Sequence, residues 1–468
     1  MAIVHSIVHE LMFAMSLHAH RPAILDEQGQ WVTYRALLDA IHEEAIRLRA
    51  DVRYGDRVAV ACTHPYREAV TIVALMLLEA VIIPLPIKYG DGRSKQVLQL
   101  TRPHWLYEDG RIQLVASAMD FNDTPLLPPS FIMFTSGSTG QPKGAVLTYD
   151  NILANIHDIQ TYFPLRANDR LFVHRSLSHA SVLTGELLYG LLSGASLIFY
   201  DEAFVPRRML AAMQQAEASV LCTTPTVCYK LAQDRADYTL PQLRLVALMG
   251  EFLHIQIARY VQERYPHTRF FMNYGQTEAS PRLTYLPDTL FTKKEGCIGI
   301  ALPSVETRIV SEQGMDVTDG EIGELLVRGP NVFLGYWEQP ELTAQRVKNG
   351  WLHTGDMVYR GADSYLYIAG RKDDMIVRAG MNIYPKEIED ILLDDRRIRE
   401  VVAYGEFDPK YGQKLCVDVV PYTEAILTPS DIIAMCRKEL AAYQYPDRIQ
   451  IVEELPRNQA GKLMRRKV

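Results

Sequence analysis

The stretch Phe131–Gly144 reads FIMFTSGSTGQPKG. Its apolar start, Phe131-Ile132-Met133-Phe134, has the character of a buried strand. Thr135, Ser136, Gly137, Ser138, Thr139 and Gly140 then bring hydroxyls, glycines and a row of backbone N–H groups under little side-chain bulk. Glycine lets such a backbone turn its N–H groups inward and close on an anion. Pro142 stiffens the exit and Lys143 adds a positive charge. Phosphate binding is the chemistry this composition serves. It is not the Walker pattern, which needs Gly before Lys and Ser or Thr after it; here Pro142 precedes Lys143 and Gly144 follows. A Ser/Gly linker has the same composition. Pro-Lys-Gly and the apolar run Ala145-Val146-Leu147 favour the loop.

Four further segments carry candidate chemistry. Tyr274-Gly275-Gln276-Thr277-Glu278 follows a strand-like run ending at Asn273. The carboxyl ends of parallel strands are where α/β sheets bind ligands. Tyr274 can stack on a purine, Thr277 can bond a phosphate and Glu278 can hold magnesium; a polar turn reads the same way. Gly350–Asp356 sets a carboxylate on a glycine-flanked turn, suited to the two hydroxyls of a ribose or simply to the surface. Gly370-Arg371-Lys372-Asp373-Asp374 is either a solvated charge cluster or a hinge. Gln459–Leu463 carries Lys462 on a glycine-flexible tail, where a lysine usually only solubilises.

The elements that must position these residues form an α/β chain. Tyr34–Arg49 places Leu37, Leu38, Ile41, Ala45 and Leu48 on one helical face. Strand Val58–Ala61, helix Tyr66–Glu79 and strand Val81–Leu85 follow, the order of a parallel sheet covered by helices. Tyr89–Pro129 is less regular, with strand-like runs at His104–Tyr107 and Ile112–Val115. After the loop come helix Asp150–Gln160, capped by Thr148 or Asp150, and a second alternation. Its members include strand Leu171–His174, helix Ser181–Leu192, strand Leu243–Met249 and strand Arg269–Asn273. From Cys297 short glycine-punctuated strands predict a small β-rich unit. Beyond Arg371 helices Pro385–Leu393 and Pro429–Ala442 and strands Val401–Gly405 and Leu415–Val420 predict a separate α+β domain of ordinary size.

The chain has 468 residues, too many for one core. Its net charge of −7, with mixed signs, argues against a nucleic-acid surface. The six cysteines form no CxxC pair, which predicts free thiols in a reducing compartment. Met1–His20 lacks the basic start of a signal peptide. Ala69–Pro86 is interrupted by Thr71, Glu79 and Pro84, unlike a membrane span. A soluble, cytoplasmic protein is expected.

Phe134–Gly144, Asn273–Glu278, Gly323–Trp337, Trp351–Asp356, Tyr367–Pro385 and Pro456–Lys462, in that order, resemble the motifs of the adenylate-forming superfamily. That superfamily includes acyl-CoA synthetases, stand-alone adenylation domains and luciferases. The resemblance implies a large N-terminal domain (1–370) of two α/β subdomains plus a small β-rich unit, and a small mobile α+β C-terminal domain (371–468). It implies two steps: a carboxylate attacks the α-phosphorus of ATP to give an acyl-adenylate and pyrophosphate. The thiol of CoA or of a carrier protein's phosphopantetheine then displaces AMP.

Carried over by position, Thr135–Gly140 and Lys143 hold the β- and γ-phosphates. Thr277 contacts the α-phosphate and Glu278 holds Mg2+. Tyr274, with Asn273 and Gly275, takes the adenine; Gly250 and Glu251 line the adenine and acyl side. Asp356 and Arg371 bind the ribose, and Lys462 bridges the carboxylate and α-phosphate. Asp373 is the implied hinge, and Gly380 the residue that admits the pantetheine thiol.

Arg175–Glu186 corresponds to the region lining the acyl pocket, with His179, Val182 and Leu183 as its candidate residues. Amino-acid-activating members place an aspartate near its start; here no acid precedes Glu186. That favours an acid without an α-amino group, with a stand-alone amino-acid adenylating enzyme as the alternative. Two departures stand out. Ile87–Ser130 is shorter than in typical members, and the chain runs only a few residues past Lys462, so any carrier protein is expected to be a separate partner.

Overall fold

The computed structural model describes residues 6–26, 28–85, 91–115, 127–135, 142–234, 238–251, 253–422, 425–457 and Arg465. The chain divides into two compact units, Met1–Thr307 with Val327–Leu352, and Arg308–Leu326 with His353–Val468.

Two sheets organise the first unit. One is seven-stranded, in the order Gly335–Tyr336, Lys143–Thr148, Ser130–Thr135, Val81–Pro84, Arg57–Ala61, Trp105–Glu108 and Arg111–Leu114. Its centre is parallel, and its core includes Ala59, Ile83, Ile132 and Val146, all fully or almost fully buried. The other sheet runs Cys297–Ala301, Arg282–Leu286, Arg269–Gly275, Leu245–Met249, Val220–Thr223, Arg170–Val173, Ser196–Phe199, Pro22–Leu25 and Trp31–Thr33. Arg269–Gly275 pairs in parallel with Leu245–Met249 and antiparallel with Arg282–Leu286. Central strands such as Leu245–Met249 are buried throughout, as continuous apolar runs in parallel sheets require.

The helix after the loop spans Tyr149–Tyr162. Thr148 caps it, bonding the backbone N–H of Asn151, whose side chain returns the bond. That reciprocal cap satisfies two N-terminal donors. Two sequence expectations need correction here. The irregular reading of 89–129 overlooks a helix, Asp91–Thr101; its apolar residues Val97, Leu98 and Leu100 crowd its second half, so no 3.6-residue pattern marks its start. Ser181–Leu192 is not one α-helix. Residues Leu183–Leu188 form a π-helix between α-helical Ala180–Val182 and Tyr189–Leu192. The fully buried Arg282 packs against this turn. A Cβ at Gly185 would lie 2.8 Å from its Nη2.

The second unit carries the antiparallel strands Gly323–Arg328, Trp351–Arg360 and Leu366–Arg371, then a five-stranded sheet. The latter orders Met381–Ile383, Ile376–Arg378, Gly412–Pro421 and Ile398–Asp408, with Arg448–Ile451 parallel to Gly412–Pro421. Helices Pro385–Leu393 and Pro429–Glu439 cover it. Ile376, Ile388, Leu392, Val417 and Ile432 share its core. The α/β class of the first unit and the α+β character of this last segment are as the sequence leads one to expect. All six cysteines are buried free thiols. Among the described residues no helix is long and apolar enough to cross a membrane.

Candidate active site

Strands Ser130–Thr135 and Lys143–Thr148 form an antiparallel pair in which Thr135 faces Lys143 and Phe134 faces Gly144. The two ends of the candidate phosphate loop are therefore held opposite each other. Ser136, Gly137, Ser138, Thr139 and Gly140 lie outside the described residues, as does the side chain of Thr135. Gly144 is required by packing: a Cβ there would stand 2.9 Å from Ile132 Cγ2.

The Asn273–Glu278 segment ends a central strand of the second sheet. Asn273 is buried, and its Oδ1 accepts from the Tyr162 hydroxyl, so its amide serves to seat the strand. Gly275 sits opposite Arg282, and a Cβ on it would fall 1.9 Å from the Pro281 carbonyl oxygen. Thr277–Ala279 is a single 3-10 turn that leaves Thr277 and Glu278 half-buried. Several groups fix this turn. The Phe333 N–H donates to the Glu278 carbonyl at 2.9 Å, and Asn331 Nδ2 donates to the Ala279 carbonyl at 2.8 Å. The Tyr336 hydroxyl donates to Glu278 Oε1 at 2.7 Å. Asn155 exchanges two hydrogen bonds with the backbone of Arg282.

The segment Phe333–Trp337 also holds the strand that leaves the loop. Leu334 N–H donates to Val146, Trp337 N–H donates to Gly144, and Tyr336 pairs with Ala145. Glu278 and the returning strand of the loop are thus tied to the same five residues. Sequence reasoning assigned Asn331 and Tyr336 no individual role, although both lie within Gly323–Trp337, one of the stretches that carry the family resemblance.

Among the described residues no group of three or more His, Cys, Asp or Glu side chains gathers to hold a metal. Glu278 nevertheless fits Mg2+, which keeps several waters and is held by one or two carboxylates together with phosphate oxygens.

Gly250 has φ +89, and a Cβ there would meet nothing within 4 Å. Glu251 is engaged, accepting from Thr226 N–H at 3.1 Å and Thr226 Oγ1 at 2.6 Å. His179 is half-buried at the start of Ala180–Val182, whereas Val182 and Leu183 are fully buried. None of the three lines the cavity of about 300 Å³ at the strand ends, which Cys62, Glu68, Leu85, Arg175, Leu177 and Tyr200 help to form. Arg175 Nη2 donates to Glu186 Oε1 at 2.8 Å. Burial pushes the Glu186 carboxyl up to about 6, with Arg175 and Arg282 opposing that push.

In the second unit Asp356 lies within strand Trp351–Arg360 and not on a turn, which corrects the sequence expectation. The glycine expected to make the turn, Gly355, has φ +72 inside the strand, beside an irregularity in the pairing at Met357/Val358. Asp356 is buried and faces Arg371 across the ladder, with Arg371 Nη1 donating to Oδ1 at 2.8 Å. Lys372 Nζ donates to Glu324 Oε2 at 2.9 Å. Burial pushes Glu324 up, but its bonds to Lys372 and His353 outweigh that and hold the carboxyl low. Asp373 is exposed in the turn Lys372–Asp374. Gly380, at φ +79, follows Ala379 at φ +51 in a tight hairpin. Positive φ at both positions is the type I′ geometry that favours glycine. Lys462 lies outside the described residues. Arg465 is bonded to Glu389 and lies 3.3 Å from Asp374.

The family described as AMP-binding enzyme matches residues 14–125 and 124–337, and AMP-binding enzyme C-terminal domain matches residues 387–462. A feruloyl-CoA synthase of Amycolatopsis is 32% identical over 467 residues, covering 94% of each chain. A long-chain-fatty-acid–CoA ligase of Salmonella typhimurium is 33% identical over 346 residues, covering 72% of this chain and 61% of its own. Among solved structures, ATP-bound MatB from Rhodopseudomonas palustris superposes with a TM-score of 0.85 at 26% identity, covering 97% of both chains.

Proposed function

This chain belongs to the AMP-binding, adenylate-forming enzyme family, and from that premise we propose that it activates a carboxylic acid with ATP and passes the acyl group to a thiol. The acid's carboxylate attacks the α-phosphorus, releasing pyrophosphate, and the thiol of CoA then displaces AMP from the acyl-adenylate. The observation that carries this reading is the shared anchorage of Glu278 and the returning strand of the phosphate loop on Phe333–Trp337. It offers one rigid frame to a triphosphate and its cation.

The first step brings two anions together, so prearranged positive charge and donors must offset their repulsion. Lys143 and the N–H groups of Thr135–Gly140 hold the β- and γ-phosphates. Thr277 contacts the α-phosphate, and Tyr274 and Gly250 flank the adenine. Glu278 holds Mg2+, which neutralises phosphate charge when bound. Asp356 accepts from the ribose hydroxyls, with Arg371 orienting it. Lys462 bridges the two reacting groups from a mobile domain, 371–468. That domain turns about Asp373 and then presents Gly380 to the pantetheine thiol.

The acid lacks an α-amino group. Glu186 is the one acid within Arg175–Glu186, and it is buried and committed to Arg175. Its Oε1 is bonded to Arg175, and its burial keeps the carboxylate away from the surface. CoA is the acceptor; a separate carrier protein is the second reading, and the cytoplasm is the proposed location. Acid-dependent ATP–pyrophosphate exchange, run on fatty, aryl, hydroxy and amino acids, tests the proposal. Exchange with a non-amino acid, lost in Lys462→Ala, is expected. Exchange confined to amino acids would replace this reading with the amino-acid alternative.

A further inference from the structure

Gly335–Tyr336 is a two-residue strand at the edge of the seven-stranded sheet, beside Lys143–Thr148. So short an element contributes little to the sheet, yet its placement is closely specified. Tyr336 N–H donates to Thr343 Oγ1 at 2.9 Å, and a Cβ at Gly335 would stand 2.8 Å from Thr343 Cγ2. The Tyr336 ring meets Phe333 edge-on at 4.9 Å. With its ring buried, the one polar atom of the side chain reaches Glu278 Oε1.

Glu278 is thereby held twice by one segment, through its carbonyl by Phe333 and through its carboxylate by Tyr336. A carboxylate has about four acceptor sites, so one phenol fixes its rotamer and leaves acceptor capacity for a cation. Because Leu334 and Trp337 are bonded to Val146 and Gly144, the phenol stands at a set separation from the strand leaving the phosphate loop. We infer that Tyr336 is a positioning residue that fixes the Glu278 carboxylate, at a set distance from that strand, for a divalent cation bound together with a nucleoside triphosphate. The inference rests on the metal role proposed for Glu278. Hydrogen-bond partners of metal ligands commonly govern metal affinity about as strongly as this requires.

Mn2+ binding, read by electron paramagnetic resonance with a non-hydrolysable ATP analogue present, tests it without turnover. Tyr336→Phe, which keeps the ring on Phe333, is expected to weaken Mn2+ about 10-fold. Its melting temperature and its metal-free affinity for the analogue should stay unchanged. Glu278→Gln should weaken Mn2+ at least as much, and adding Tyr336→Phe to it should cost nothing more, as expected of coupled residues. Undiminished Mn2+ affinity in Tyr336→Phe, or a full further loss in the double variant, overturns the inference. If Glu278→Gln itself binds Mn2+ normally, the metal role of Glu278 fails and the inference fails with it. Should Tyr336→Phe not fold, 3-fluorotyrosine at position 336 supplies the reading. Its fluorine resonance should shift when Mg2+ is added to the analogue-bound protein, and a fixed resonance overturns the inference.

Discussion

Glu278 and Gly380 are both assigned to the chemistry, yet their surroundings are opposite. The Glu278 turn is bonded by Phe333, Asn331 and Tyr336, and the neighbouring Gly275 lacks room for a single added carbon. At Gly380 a Cβ would meet nothing within 4 Å, and nearby Asp373 is exposed. The contrast matches the division of labour proposed above. Phosphoryl chemistry needs groups held to a fraction of an ångström before reaction. A residue that admits a thiol after a domain movement needs space and an adaptable backbone.

Substitutions can break this contrast, and the largest effect belongs to the crowded side. Gly275→Ala drives a carbon into the Pro281 carbonyl. It is expected to lower stability by about 3 kcal/mol, the upper part of the overpacking range, measured by urea unfolding. A loss under about 1 kcal/mol would show that the turn yields. Asn155→Ala removes the acceptor of the buried Arg282 N–H and one of two side-chain donors to the Arg282 carbonyl, the other being Asn331 Nδ2. It should cost about 2 kcal/mol and reduce the pyrophosphate-exchange rate by displacing the neighbouring turn.

Glu186 adds a pH-dependent term of similar or smaller size. Its carboxyl is raised from 4.5 to about 6 in the folded state, so between those values the folded protein binds more protons than the unfolded chain. Stability therefore falls as pH rises from 4.5 to about 6, by up to about 2 kcal/mol. The acid side of that window is the stable one. Glu186→Gln should flatten this slope in urea unfolding across that window; an unchanged slope would assign it to another group.

The smallest effect on stability is expected at Gly380. Gly380→Ala places a side chain at positive φ, costing about 1–2 kcal/mol. Pyrophosphate exchange should be unchanged while acyl transfer to CoA slows several-fold. Equal loss in both steps would erase the distinction between the two regions.

Much of this was legible in the sequence, for local reasons. Pro385–Leu393 is a helix with Pro at its first turn and strong amphipathicity, and its bounds are the expected ones. Thr148 was readable as a cap because the pattern needs only neighbouring residues. What escaped depends on distant contacts. Tyr336 and Glu278 are 58 positions apart, and no spacing rule connects them. The π-helix Leu183–Leu188 packs at Gly185 against Arg282, far along the chain. Asp356 was expected on a turn because Gly350 and Gly355 precede it; pairing with Leu366–Arg371 holds Asp356 in the strand although Gly355 has φ +72.

The most direct test of the account is the identity of the nucleotide product when a free carboxylic acid that supports exchange, ATP, Mg2+ and CoA are supplied together. AMP and pyrophosphate, formed in equal amounts with the acyl-CoA and absent when the acid is withheld, are the predicted products. Release of ADP and phosphate, or of AMP without the acid, would contradict acyl-adenylate chemistry at this site.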